Sequence, residues 1–209
     1  AAIDIEGRRH RIYFEQAGAG RDLLFLHTAD SDTHQFRSLM NDAALRRGWR
    51  MTAFDLPWHG KSLPPQGGVP GEWRLDTDRY VACIDAVIRG LGLERPVLMG
   101  SSMGGLAALY ALCRRPDVFG GAGGVSTHWP VTRIAGVHDN PGAPPMIALS
   151  AAVLGWYDAN LPRAGAHRFY FDHGTQGLDR LYAPYQSRMD AIGAAKGYVA
   201  GKDWMSKAT

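Results

Sequence analysis

The chain is short of several things that would have pointed elsewhere. It holds two cysteines in 209 residues, Cys83 and Cys113. That is too few for a disulfide framework, and their spacing suits no metal site. Both fall in stretches expected to be helical, so they read as buried thiols of a reducing compartment, and a cytoplasmic location is expected. No apolar run is long enough to cross a bilayer and no signal sequence opens the chain, so no membrane partner is expected. An excess of one charge is also lacking. The 23 basic residues nearly balance 20 acidic ones, for a net charge of +3. One local basic cluster, Arg8-Arg9-His10-Arg11, reads as a solvated strand edge. With no interleaved aromatic and basic motif, nucleic-acid binding is not expected, although the isoelectric point is about 9.0. There is no internal repeat and no low-complexity tract. No G-x-G-x-x-G follows the first strands, which argues against a dinucleotide cofactor. No cofactor or metal is expected.

What is present is a chain 45% hydrophobic and 21% charged, suited to a single globular domain over residues 1–209. It is organised around Met99-Gly100-Ser101-Ser102-Met103-Gly104-Gly105. Gly100, Ser102 and Gly104 spell G-x-S-x-G. The apolar run Pro96 to Met99 enters it as a strand, and a helical run from Leu106 to Arg115 leaves it. That context separates a strained strand-to-helix elbow from a chance match. Small neighbours leave room for the turn, and Ser102 Oγ is expected to stand clear of it. The N–H of Met103, at the helix start, is expected to face a developing oxyanion.

Around this centre the pattern alternates. Ile3–Ile5 and Arg11–Gln16 read as an opening hairpin turning near Glu6-Gly7. Leu23–His27 reads as a strand covered on both faces. Phe36–Arg47 reads as a helix and Arg50–Phe54 as a strand. A helix capped by Asp76 or Thr77 runs to about Leu91, with Tyr80, Ile84, Val87, Ile88 and Leu91 on one face. Further strands are expected at Gly121–Ser126, His167–Asp172 and Asp203–Lys207, and helices at Met146–Tyr157 and Tyr185–Lys196. Pro130 to Pro145 is turn-rich and receives no element. Alternation of this kind predicts an α/β fold with a doubly wound, mostly parallel sheet and no large lid. Function belongs at the C-terminal strand ends, where the loops after His27, Asp55, Ser102, Thr127 and Asp172 can converge.

These residues resemble the α/β-hydrolase family. The strand ending His27-Thr28, the loop Asp55 to Ser62 and the Gly100–Gly105 elbow look like a bacterial hydrolase of that family. Arg114 to Gly121, Ser126 to Pro130, and Tyr170 to Thr175 with Leu178-Asp179 look more like its esterase branch, so a hybrid chain is one expectation. The resemblance implies a serine hydrolase acting on small-molecule carboxylic esters. Ser102 is then the nucleophile, and the oxyanion hole is Met103 N–H with the N–H of Thr28 or Ala29. Asp179 is the first choice for the acid, with Asp172 second; the plainer reading of Asp179 is a helix N-cap. The family order places a histidine after the acid, yet the last histidine is His173. A truncated end that omits the histidine loop is therefore expected. His128 and His173 are possible substitute bases, and His59 lies on the same rim. His27 is expected to shape the oxyanion loop. A hydrolase-fold protein without catalysis is the alternative. Trp58, Trp129, Trp156 and Tyr182 are candidates to line an acyl pocket. The oligomeric state is unreadable.

Overall fold

The computed structural model describes residues 1–65, 67–69, 71, 74–129 and 144–209. The turn-rich stretch expected from Pro130 lies almost wholly outside the described residues, and with it the expectation about a lid. A hairpin of β1 (Ala2–Ile5) and β2 (Arg8–Arg11) opens the chain. It turns where both Glu6 and Gly7 have positive φ. The main sheet follows the order β3 (Phe14–Ala17), β5 (Trp49–Phe54), β4 (Arg21–Leu26), β6 (Val97–Ser101), β7 (Gly121–Val125), β8 (Arg168–His173), β9 (Trp204–Ala208). Only β3 runs antiparallel; every other neighbouring pair is parallel. The α/β class with a mostly parallel sheet is thus the observed architecture.

The sheet has a core on each face. Along β4, Leu24 and Leu26 join the larger cluster, while Leu23 and Phe25 join the smaller one. That division follows from the two-residue period of a strand. The larger cluster is shared with α3 (Thr77–Leu91), α4 (Met103–Arg114), α5 (Pro144–Asn160) and α6 (Ala183–Ala195). The smaller one is covered by α1 (Arg37–Met40) and α2 (Leu45–Gly48). The N-terminus of α3 is capped by Asp76, whose carboxylate accepts the Arg79 N–H at 2.8 Å. Ile84, Val87 and Ile88 are buried on its inner face.

Two expected elements are corrected. Arg11–Gln16 is not one strand. The chain leaves the hairpin after Arg11, Tyr13 N–H donates to Ser62 Oγ at 2.9 Å, and β3 then pairs with β5 instead of β1. Phe36–Arg47 is not one helix. Asp42 Oδ1 accepts the N–H groups of Ala44 and Leu45, both at 2.8 Å, and ends one turn to start another. Among the described residues no helix is long and apolar enough to cross a membrane.

Candidate active site

The elbow is tight because its glycines touch backbone on every side. A Cβ on Gly100 would lie 2.1 Å from the Gly104 carbonyl, and one on Gly104 would lie 2.2 Å from the Leu26 oxygen. Between them, Ser102 takes φ 54° and ψ −115°, a conformation that L-residues avoid unless the surroundings enforce it. Four hydrogen bonds supply that enforcement. Ser102 N–H donates to Val125 O at 2.9 Å, and its carbonyl accepts from Gly105 N at 3.1 Å and from Leu106 N and His128 N, both at 3.3 Å. The side chain is half-buried, and among the described residues Oγ has no hydrogen-bond partner. Ser102 directly precedes α4, so Met103 N–H points out of the first turn with no acceptor among the described residues.

Facing it is the loop after β4, which His27 shapes. Buried His27 accepts Leu56 N–H at Nε2, 3.2 Å, which makes Nδ1 the protonated nitrogen; Nδ1–H donates to Thr28 O at 2.8 Å. Burial keeps its pKa below the ordinary 6.5. Of the two expected loop donors, Thr28 N–H is taken by Gln35 Oε1 at 3.1 Å, whereas Ala29 N–H has no partner among the described residues. The structure therefore separates two donors that sequence left equivalent.

On the opposite side of Ser102 lies the loop after β8. Asp179 does not cap a helix. It opens a 3-10 turn, Asp179–Tyr182, whose N-cap is Leu178. Its Oδ2 accepts Ser126 Oγ–H at 2.5 Å and Gly174 N–H at 3.1 Å. Ser126 reaches it from the end of β7 with φ 49°. Asp172, the second choice, is instead bonded by the Tyr170 hydroxyl at 2.9 Å within its own strand. The described histidines of this rim are engaged. His128 Nδ1 pairs with the Tyr182 hydroxyl at 2.9 Å, and buried His173 donates Nδ1–H to Gly174 O at 3.1 Å. His59 donates to Pro57 O at 3.0 Å. No described histidine is bonded to Asp179 or Asp172.

A family model described as the alpha/beta hydrolase fold matches residues 23–156, from within β4 through the elbow to α5. The chain belongs to the alpha/beta hydrolase fold family. It is 34% identical over 103 residues to the AB hydrolase superfamily protein YisY of Bacillus subtilis (strain 168), covering 49% of this chain and 36% of that protein. The chain spans about a third of the length of the curated relatives it matches. Among solved structures it resembles a thermophilic esterase from Thermogutta terrifontis, with TM-score 0.68, 17% identity, and coverage of 100% of this chain and 89% of that one. A monoacylglycerol lipase from Paleococcus ferrophilus is similar at TM-score 0.68 and 16% identity, covering 95% and 88% of the two chains. At such identities the likeness shows the family's fold.

Beside the elbow is a cavity of about 440 Å³. Of the four aromatics expected to line a pocket, Trp156 does so. Trp129 and Tyr182 are buried in the core, where Trp129 Nε1–H finds Gln186 at 3.2 Å and Tyr182 meets His128, and Trp58 lies off the lining. The polar tips of Trp129 and Tyr182 found partners inside the protein, which fixes them there. Two side chains that hold candidate site groups, Gln35 and Ser126, had received no role from sequence reasoning. Ser126 meets Asp179 only because the sheet brings residues 53 apart together, whereas Gln35 reaches back seven residues to Thr28 in the stretch that follows β4.

Proposed function

We propose that the chain is a serine hydrolase of the carboxylic-ester type. Ser102 Oγ attacks the acyl carbon of a small ester, and the carbonyl oxygen becomes an oxyanion held by Met103 N–H and Ala29 N–H. The alcohol leaves with a proton, and water then releases the acid from the acyl-serine. Asp179, clamped through Oδ2 by Ser126 and Gly174, is the carboxylate that orients a histidine base. The observation that carries this reading is the strained, half-buried Ser102 at the head of α4, its hydroxyl without a partner among the described residues. It is tested by treating the protein with a fluorophosphonate and locating the adduct by peptide mass spectrometry. Labelling that survives Ser102→Ala removes Ser102 as the nucleophile.

One observation favours a second reading, a hydrolase-fold protein impaired in turnover. Asp179 Oδ2 is bonded by a serine and a backbone amide, while His128 Nδ1 is held by Tyr182 and His173 Nδ1 by a backbone carbonyl, so neither ring is hydrogen-bonded to Asp179. Loss of the base leaves only the rate that binding and the oxyanion hole supply, about 10³–10⁴-fold over water. The two readings part on multiple turnover of p-nitrophenyl acetate. Steady hydrolysis abolished by Ser102→Ala removes the second. If that activity also falls in His128→Ala or His173→Ala, the substituted histidine is the base.

A further inference from the structure

The cavity beside the elbow is built by three helices, each turning one stripe towards it. From α4 come Met103, Leu106, Ala107 and Tyr110, spaced as one face of the helix that starts at Ser102. From α3 come Tyr80 and Ile84, one turn apart, and from α5 come Val153 and Trp156. Tyr110 and Trp156 stack with ring centroids 4.7 Å apart. Two of the three tyrosine hydroxyls of this wall are committed elsewhere: Tyr110 accepts from Arg114 at 2.8 Å and Tyr157 donates to Leu106 O at 3.1 Å. No lysine or arginine lines the cavity among the described residues, and the nearest carboxylate, Asp76, is spent on capping α3. An occupant is therefore uncharged and apolar.

The position of the cavity decides which end of an ester enters it. Thr28, Ala29 and Met103 border it, so it opens at the oxyanion donors. Asp179, Ser126 and Gly174, on the other side of Ser102, do not line it. The leaving alcohol must take a proton from the base that Asp179 orients, so it points away from the cavity. The acyl group is what remains to enter.

We propose that the three-helix cavity is an acyl site for neutral esters of bulky, apolar carboxylic acids of arylalkanoyl size, with Ala107 setting its depth. This rests on the reading of Ser102 and Asp179 given above. The probes are ethyl 4-phenylbutanoate, its isomer 4-phenylbutyl acetate, and ethyl butanoate. Binding is measured by calorimetry on the Ser102→Ala protein, where no turnover intervenes, and fluorophosphonate labelling of the parent is measured in parallel.

Ethyl 4-phenylbutanoate is expected to bind about 100-fold more tightly than ethyl butanoate, since it adds a phenyl ring to the area buried in the cavity. It should also bind about tenfold more tightly than 4-phenylbutyl acetate, whose bulk is on the alcohol. Ala107→Phe, which fills the cavity, should erase both preferences. Val153→Phe from the opposite wall should do the same, so that misfolding of one variant does not decide the matter. Equal binding of the phenylbutanoate and butanoate esters, or preference for the acetate isomer, overturns the proposal. Tight binding lost in both filled variants, without labelling of Ser102, upholds the cavity and sinks the nucleophile. Labelling of Ser102 without acyl preference does the reverse.

Discussion

Gly104→Ala adds one methyl group where the fold has no room for it. The new Cβ would sit 2.2 Å from the Leu26 oxygen and 2.8 Å from the His27 oxygen, and real Cβ contacts do not go below 3.0 Å. Both opposing atoms are backbone of β4 and its loop, so neither can rotate aside. The head of α4 must retreat by about 1 Å, and overpacking of this kind costs about 3 kcal/mol. For a chain of this size that lowers Tm by about 9 °C. The same retreat carries Ser102 and Met103 away from Ala29, and a displacement of about 1 Å costs a catalytic centre about 100-fold in rate. The internal control is Gly155→Ala in α5. That glycine is exposed, has nothing within 4 Å of its Cβ position, and should gain about 1 kcal/mol from helix propensity. Thermal melts and fluorophosphonate labelling rates are compared for the two. If Gly104→Ala melts and labels like the parent, the close elbow packing is wrong.

Three further outcomes follow from the geometry. His27→Gln leaves the Leu56 N–H and Thr28 carbonyl without the partner that joined them, costing about 2 kcal/mol. Because His27 is held neutral by burial, with its pKa below 6.5, the unfolded chain binds its proton first as pH falls. Its contribution is complete above 6.5 and declines below it, so the variant should lack that part of the acid-side slope in melts taken from pH 7.5 downwards. Burial disfavours the Asp22 carboxylate, but Arg50 and the Glu94 N–H, at 2.5 and 2.6 Å, outweigh it and leave its pKa below the ordinary 3.8. Asp22→Asn should therefore cost about 2 kcal/mol at pH 7 and nothing once pH has fallen through the folded-state pKa, as chemical denaturation at both pH values would show. Ser126→Ala releases one of the two donors on Asp179 Oδ2 and should cost about 1 kcal/mol of stability. If Asp179 is the acid, the pH profile of ester turnover should shift in Ser126→Ala and recover in Ser126→Thr; an unmoved profile makes the bond purely structural.

The parts of this molecule legible in the sequence are those whose causes are local. A continuous apolar run marked β4 and a 3.6-residue period marked α3, Asp76 or Thr77 marked the start of α3, and glycine spacing around Ser102 marked the bend. Where sequence reasoning erred or left a choice open, particular side-chain hydrogen bonds had decided the outcome. Tyr13 leaves its strand because Ser62 meets its amide, and Asp42 divides a helical run by bonding the amides just ahead of it. Asp179 looks like a cap until the sheet delivers Ser126 to its carboxylate. Thr28 and Ala29 look alike until Gln35 occupies one of them. The cavity was half visible: the α3 face containing Tyr80 and Ile84 was expected to be core, and the stripe at Met103, Leu106, Ala107 and Tyr110 follows the same helical period. Only the packing of three helices shows that these faces stop short of one another.

The most direct trial of the central claim is stoichiometric reaction of the 209-residue chain with a fluorophosphonate, followed by mapping of the modified peptide. One adduct on Ser102, absent after Ser102→Ala, is the predicted result. A chain that takes up no label, or keeps it in that variant, contradicts the claim that this bend presents a reactive hydroxyl.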